Sequence, residues 1–129
     1  LLLSEAFSKY GAKLKNVNWS VSAENASGEL VVSLWRHRFL KPEADSIRYQ
    51  DYVDRWSGHG NKEFRERISK AFSCKQVVRA VIAKTSNIEA VNNGADASNF
   101  VNDYHIRKDW LGQVTEWDGN NFEITFYKR

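Results

Sequence analysis

The sequence predicts a single α+β domain, with a largely antiparallel sheet of about five or six strands, one main helix and one or two short helices. Three observations lead there. A chain of 129 residues suffices for one hydrophobic core and is too short for two. Its apolar-patterned segments come as grouped strands before and after one helical stretch, the order of an antiparallel and not a doubly wound parallel sheet. No internal repeat, low-complexity tract or linker divides residues 1–129, which read as one domain.

The elements follow in order. Ser4 stands at an N-cap position, Glu5 in the first turn, and Leu3, Phe7 and Tyr10 at i, i+4 and i+7. A short helix over 4–10 is therefore expected, ended by Gly11. Residues 17–23 alternate apolar and polar, which predicts a half-buried strand. Asn25 to Gly28 are turn residues, and Leu30–Phe39 is a second strand, so 16–39 reads as a β-hairpin. Leu30, Val32 and Leu34 point one way and Val31, Trp35 and Phe39 the other, as in a central strand covered on both faces.

Lys41-Pro42 opens a polar loop. Tyr49, Tyr52, Val53 and Trp56 are spaced for a short helix over 49–55, with a strand as the alternative. Ser57-Gly58-His59-Gly60 interrupts the pattern. Asn61 is then the expected cap of the main helix, which runs to about Ser73 with Phe64, Ile68, Ala71 and Phe72 as its buried stripe. The β-branched run Gln76–Lys84 predicts a strand. Residues 85–102, rich in Asn, Ala, Ser and Asp, predict a long loop. Tyr104–Lys108, Trp110–Trp117 and Phe122–Tyr127 predict three more strands, the last two joined at Asp118-Gly119.

Composition narrows the function classes. Apolar residues make up 42% and charged residues 27%, which is globular composition. No apolar run approaches the roughly 18 residues of a membrane span. Leu1-Leu2-Leu3 lacks the charged lead and the length of a signal peptide, so a cytoplasmic domain is expected. Cys74 is the single cysteine, which excludes an internal disulfide and a Cys-based zinc cage. Its place beside the helix stripe predicts a buried structural thiol.

The formal charge of +3 is unevenly placed. Residues 36–75 carry ten basic against six acidic side chains, a local +4, while the rest of the chain is −1. Such segregation is the footprint of a nucleic-acid surface in sequence.

A catalytic reading finds little to build on. The chain has no G-x-S-x-G elbow, P-loop or G-x-G-x-x-G sequence, and no Asp/Glu-x-Lys triplet of the kind metal-dependent nucleases use. His37, His59 and His105 form no zinc-type pair. The expectation is a non-enzymatic protein with no metal and no cofactor.

Binding has more candidates. Arg36-His37-Arg38, flanked by Trp35 and Phe39, ends the second strand, and alternation would send both arginines to one face to contact phosphates. An ordinary charged strand end is the alternative, and Lys41 follows closely. In Arg55-Trp56-Ser57-Gly58-His59-Gly60-Asn61-Lys62, glycines approach a helix N-terminus, where free N–H groups and the helix dipole attract a phosphate. Arg55, Ser57, His59, Asn61 and Lys62 are its candidates; a capped helix with Trp56 as a buried anchor is the alternative. On the helix, Glu63–Arg67 and Glu66–Lys70 compensate one another, leaving Arg65 and Lys62, with Ser69 near the same face. The five tryptophans could stack on bases, but Trp19, Trp35, Trp110 and Trp117 fall in strand patterns where burial is expected.

As an ordered set, SLWRHRF, YQDYVDRWSGHGNKEFRERISKAF, VVRAVIAKT and RKDWLGQVTEWDGNNFEITF cover most of residues 4–128. The set resembles a family that joins the DNA-binding domain of phage homing-type endonucleases with a phage-satellite transcriptional repressor. The resemblance implies sequence-specific binding of double-stranded DNA, as a repressor or a targeting domain of a phage or mobile element, with a homodimer as one arrangement. It also implies that any nuclease activity resides in a separate domain. It assigns no individual site residue. Two rivals stand beside it: a metal-dependent endonuclease whose ligands meet only in space, and a protein-interaction module that does not bind DNA.

Overall fold

A computed structural model of the chain describes residues 1–96 and 100–129. Helix α1 (Leu3–Ser8) is followed by strands β1 (Ser22–Glu24), β2 (Leu30–Trp35) and β3 (Ser46–Tyr52), then helix α2 (His59–Cys74) and strand β4 (Val78–Thr85). Helix α3 (Ile88–Asn92) and strands β5 (Asn102–Ile106), β6 (Trp110–Trp117) and β7 (Asn121–Lys128) complete the chain. The class is α+β, as expected, with seven strands in the order β1-β2-β4-β6-β7-β3 and β5 also paired to β4. One pairing is parallel, β2 with β4; the others are antiparallel.

Strand β2 is covered on both faces, as its sequence predicts. Leu30, Val32 and Leu34 join Phe64, Ile68 and Ala71 of α2, with Ile124 and Phe126, in the larger core. Val31 turns the other way, into a second cluster with Phe7, Tyr10 and Val81 beneath α1. Fully burying one such aliphatic or aromatic side chain contributes about 1.5–3 kcal/mol.

The sheet curls. Strand β3 is its last member in pairing order, yet Tyr49 of β3 bridges Phe39, and its hydroxyl accepts the Trp35 N–H at 3.2 Å. The chain leaving β2 therefore meets the far edge of the sheet, and the larger core is enclosed between them. This juxtaposition positions the candidate site.

Several elements differ from the sequence expectation. The first strand starts at Ser22 and not at 17, because Asn16 to Ser20 form a turn in which Ser20 N–H bonds the Asn16 carbonyl at 2.8 Å and Val17 is exposed. The second strand ends at Trp35, where Arg36–Arg38 form a 3-10 turn. Phe39 consequently packs on the larger core and not on the Val31 face. The predicted helix 49–55 is strand β3 followed by a 3-10 turn, Val53–Arg55. Ser4 lies inside α1, not at its cap. Asn61 does not cap α2: the N-cap is Gly58, and Asn61 is buried within the first turn. Phe72 is 40% exposed and Cys74 exposed, both flanking Ala71, which takes the core-facing position of the last turn. The predicted loop 85–102 contains α3, and its residues 97–99 lie outside the described residues. All five tryptophans are only partly buried.

Candidate nucleic-acid interface

The end of the molecule where β2 meets β3 is organised around one buried carboxylate. Strand alternation turns Tyr49 and Asp51 inward and Gln50 and Tyr52 outward. The Asp51 side chain is 1% exposed, and Arg55 grips it with two bonds, Nε at 2.9 Å and Nη2 at 2.8 Å. Arg38 Nη1 lies at 3.3 Å, the Tyr49 hydroxyl donates at 3.2 Å and the Tyr52 N–H at 2.8 Å. Burial, reinforced by the Asp51 charge, pushes the Tyr49 hydroxyl far up, so it remains a neutral donor. Burial works against the Arg55 charge, but the bonds to Asp51 outweigh it and hold the guanidinium above its ordinary value. Arg55 also donates to the Val91 carbonyl at 2.9 Å and lies 4.7 Å from the Trp56 ring centre, tying α3 to β3.

Over this base lies an open cleft of about 490 Å³, lined by His37, Arg38, Gln50, Tyr52, Asn92 and Asn121, with Asp51 at its floor. Asn92 Oδ1 accepts from His37 Nε2 at 3.0 Å and from Arg38 Nη2 at 3.3 Å. The Arg38 guanidinium carbon stands 5.7 Å from the Tyr52 ring centre. His37 is held below the ordinary imidazole range by burial, then by the charges of Arg38 and Arg55 against the opposing pull of Asn92. His105 on β5 is lowered likewise, by burial and by Arg36 and Arg107. Burial is the larger cause for both histidines, and the neighbouring arginines add to it.

A second cleft, of about 430 Å³, lies at the start of α2 and includes Lys15, Trp19, His59 and Lys62 with Glu63 and Glu66. Here the glycines have separate roles. Gly58 has φ +107°, a conformation that other residues adopt at a cost of about 1–3 kcal/mol. Gly60 is buried against the 16–20 turn, and a Cβ there would stand 2.2 Å from the Trp19 carbonyl oxygen. The His59 ring lies 5.5 Å from that of Trp19. This helix N-terminus is therefore packed by protein on the Trp19 side, which narrows the phosphate cradle expected from the sequence.

The predicted residues fall into three groups. Arg36 and Lys41 are exposed and hold no ion pair among the described residues; His59, Ser57 and Lys62 are exposed at the start of α2. His37 and Arg38 line the first cleft. The two arginines do not share a strand face, because the 3-10 turn rotates Arg38 inward to Asp51 and leaves Arg36 outside. Arg55 and Asn61 are structural: Asn61 Nδ2 donates to the Val53 carbonyl at 2.8 Å, and its Oδ1 accepts from Arg65 Nε at 2.7 Å. Arg65 is further held by Asp54 at 2.6 Å, and Ser69 is half-buried on α2. Glu63 pairs with Arg67 at 2.9 Å as expected, but Lys70 pairs with Glu24 across to β1 and not with Glu66. Among the described residues, six of the ten basic side chains in 36–75 stand in ion pairs, leaving Arg36, Lys41, Lys62 and Lys75.

Gln50, Tyr52, Asn92, Asn121 and His105 join this region without having been singled out by sequence. Their signal was weak: Gln50 and Tyr52 could be placed only after 49–52 is known to be a strand, and Asn92 only after α3 is docked on Arg55. Among the described residues no group of three or more His, Cys, Asp or Glu side chains converges as a metal cradle. No helix among the described residues is long and apolar enough to cross a membrane. Comparison with protein-family models, with curated proteins and with solved structures finds no match to this chain.

Proposed function

We infer that this domain binds double-stranded DNA sequence-specifically and carries out no chemistry of its own, acting in the cytoplasm as a repressor or targeting domain. One observation supports the reading above the others. Arg36, His37 and Arg38 from the turn after β2, Arg55 from the turn after β3, and His105 from β5 gather at one end of the sheet, where Arg38 and Arg55 share Asp51 as counter-charge. Phosphates would be met there by the unpaired Arg36 and Lys41, with Lys62 at the start of α2. Phosphate contacts of this kind set affinity and orientation, while base edges supply the specificity.

The test is a salt titration of binding to mixed duplex DNA, followed by selection of sites from random oligonucleotides. Three unpaired cations predict that log affinity falls with log salt with a slope of roughly −3 per protomer. Arg36→Ala and Lys41→Ala should each reduce that slope by about 1. A homodimer on a two-fold site would double the slope per complex. Absence of binding at about 50 mM salt, where screening is weak, overturns the reading and favours a protein-interaction module. Cleavage of plasmid DNA that depends on a divalent ion would move the domain to the nuclease class.

A further inference from the structure

We propose that the cleft between the 36–38 turn, the end of β3 and the end of α3 holds a single unpaired nucleobase, one lying outside the base stack of the bound nucleic acid. The proposal rests on the DNA-binding reading above and assigns its cleft a ligand.

The cleft's chemistry selects the ligand class. At about 490 Å³ the open cleft has room for one base. Its polar groups are of both kinds. Asn92 presents its Nδ2 donors, since its Oδ1 is taken by His37 and Arg38. Gln50 and Asn121 each spend one amide N–H outside the cleft, on Glu123 at 2.7 Å and on Asp118 at 3.0 Å, and keep a second N–H and a carbonyl oxygen. The Arg38 Nε is buried with no partner. The outward-facing Tyr52 adds a hydroxyl and a partly exposed ring.

An anion fits this lining poorly. Asp51 offsets one of the Arg38 and Arg55 charges, and a phosphate, which has no N–H to give, would leave the Gln50 and Asn121 oxygens unanswered. A neutral planar ring with alternating donors and acceptors answers both sets of groups, and a base edge has that pattern. Taking a base out of a duplex costs a few kcal/mol, and least where the base is already unpaired. The prediction is therefore a preference for nucleic acid that offers a ready-made unpaired base.

The experiment compares two duplexes of one sequence, fully paired or carrying 2-aminopurine as a single-nucleotide bulge, by equilibrium binding and by 2-aminopurine fluorescence. The expected result is at least about tenfold tighter binding of the bulged duplex, with a change in fluorescence as the base leaves its neighbours and meets Tyr52. Asn92→Ala and Tyr52→Ala, both at solvent-facing positions and checked for an unchanged melting transition, should each shrink that preference severalfold. Equal binding of the two duplexes, or a preference that both variants retain, overturns the cleft proposal while DNA binding stands. No binding of either duplex at low salt overturns both.

Discussion

Replacing Asp51 by Asn would leave the largely buried Arg38 and Arg55 facing a neutral amide. The expected cost is about 3–5 kcal/mol, because an unpaired buried charge is penalised far more than a surface ion pair. Glu43→Gln, which removes a partner of the exposed Arg48, should cost no more than about 1 kcal/mol. Urea denaturation of the two variants measures the contrast, and a loss below about 1 kcal/mol for Asp51→Asn would contradict the structural role given to this cluster. The histidines give a pH dependence. His37 and His105 are held below the unfolded imidazole value of 6.5, so in the window just below 6.5 the unfolded chain binds protons that the folded chain does not. Their contribution is fully present above that pH and is lost as pH falls through the window. The melting temperature should decline on acidification from 6.5 towards 5, and His37→Gln with His105→Gln should flatten the decline. A single sequence gives no sign of any of this: Asp51 is one acidic residue in a mixed polar stretch, and its two arginine partners stand 13 positions before it and four after.

Among elements, α2 was legible because its apolar spacing is long and regular, while its ends were not. Phe64 faces the sheet and touches the rings of Trp56 and Phe122, at centroid distances of 5.3 Å and 5.4 Å. Phe72 fits the same helical pattern but is 40% exposed, on the flank of the buried stripe. Phe64→Ala should therefore cost about 3–5 kcal/mol, and Phe72→Ser about 1–2 kcal/mol. Similar losses for both, measured by denaturant titration, would refute this placement of the helix. The stretch 49–56 misled for a related reason. Tyr49, Tyr52, Val53 and Trp56 match a helical period because a strand ends and a tight turn begins between them. Local spacing cannot tell a helix from two short elements laid end to end. The 36–39 segment reads as strand by composition, but the chain has to turn there to reach β3, and that turn separates Arg36 from Arg38.

At the scale of the whole molecule, β4 is the spine: it pairs with β2 on one side and with β5 and β6 on the other, and most of it is buried. Strand β1 is a three-residue edge. Amides of Ala80 to Ala83 should exchange with solvent last and those of β1 at least tenfold sooner; comparable rates would argue against this pairing order. The sequence by itself determined the class, a single α+β domain with one main helix. Hydrophobic period and turn residues are local properties, written within a few neighbouring positions. It also placed the three C-terminal strands and the two-sided burial of β2, and concentrated the basic excess in 36–75. The tertiary structure alone decided which of those charges remain free, because ion pairing depends on what the sheet brings alongside. It alone assembled the cleft, whose lining residues lie up to 84 positions apart, from His37 to Asn121, and meet only because the sheet curls until β3 reaches the chain leaving β2.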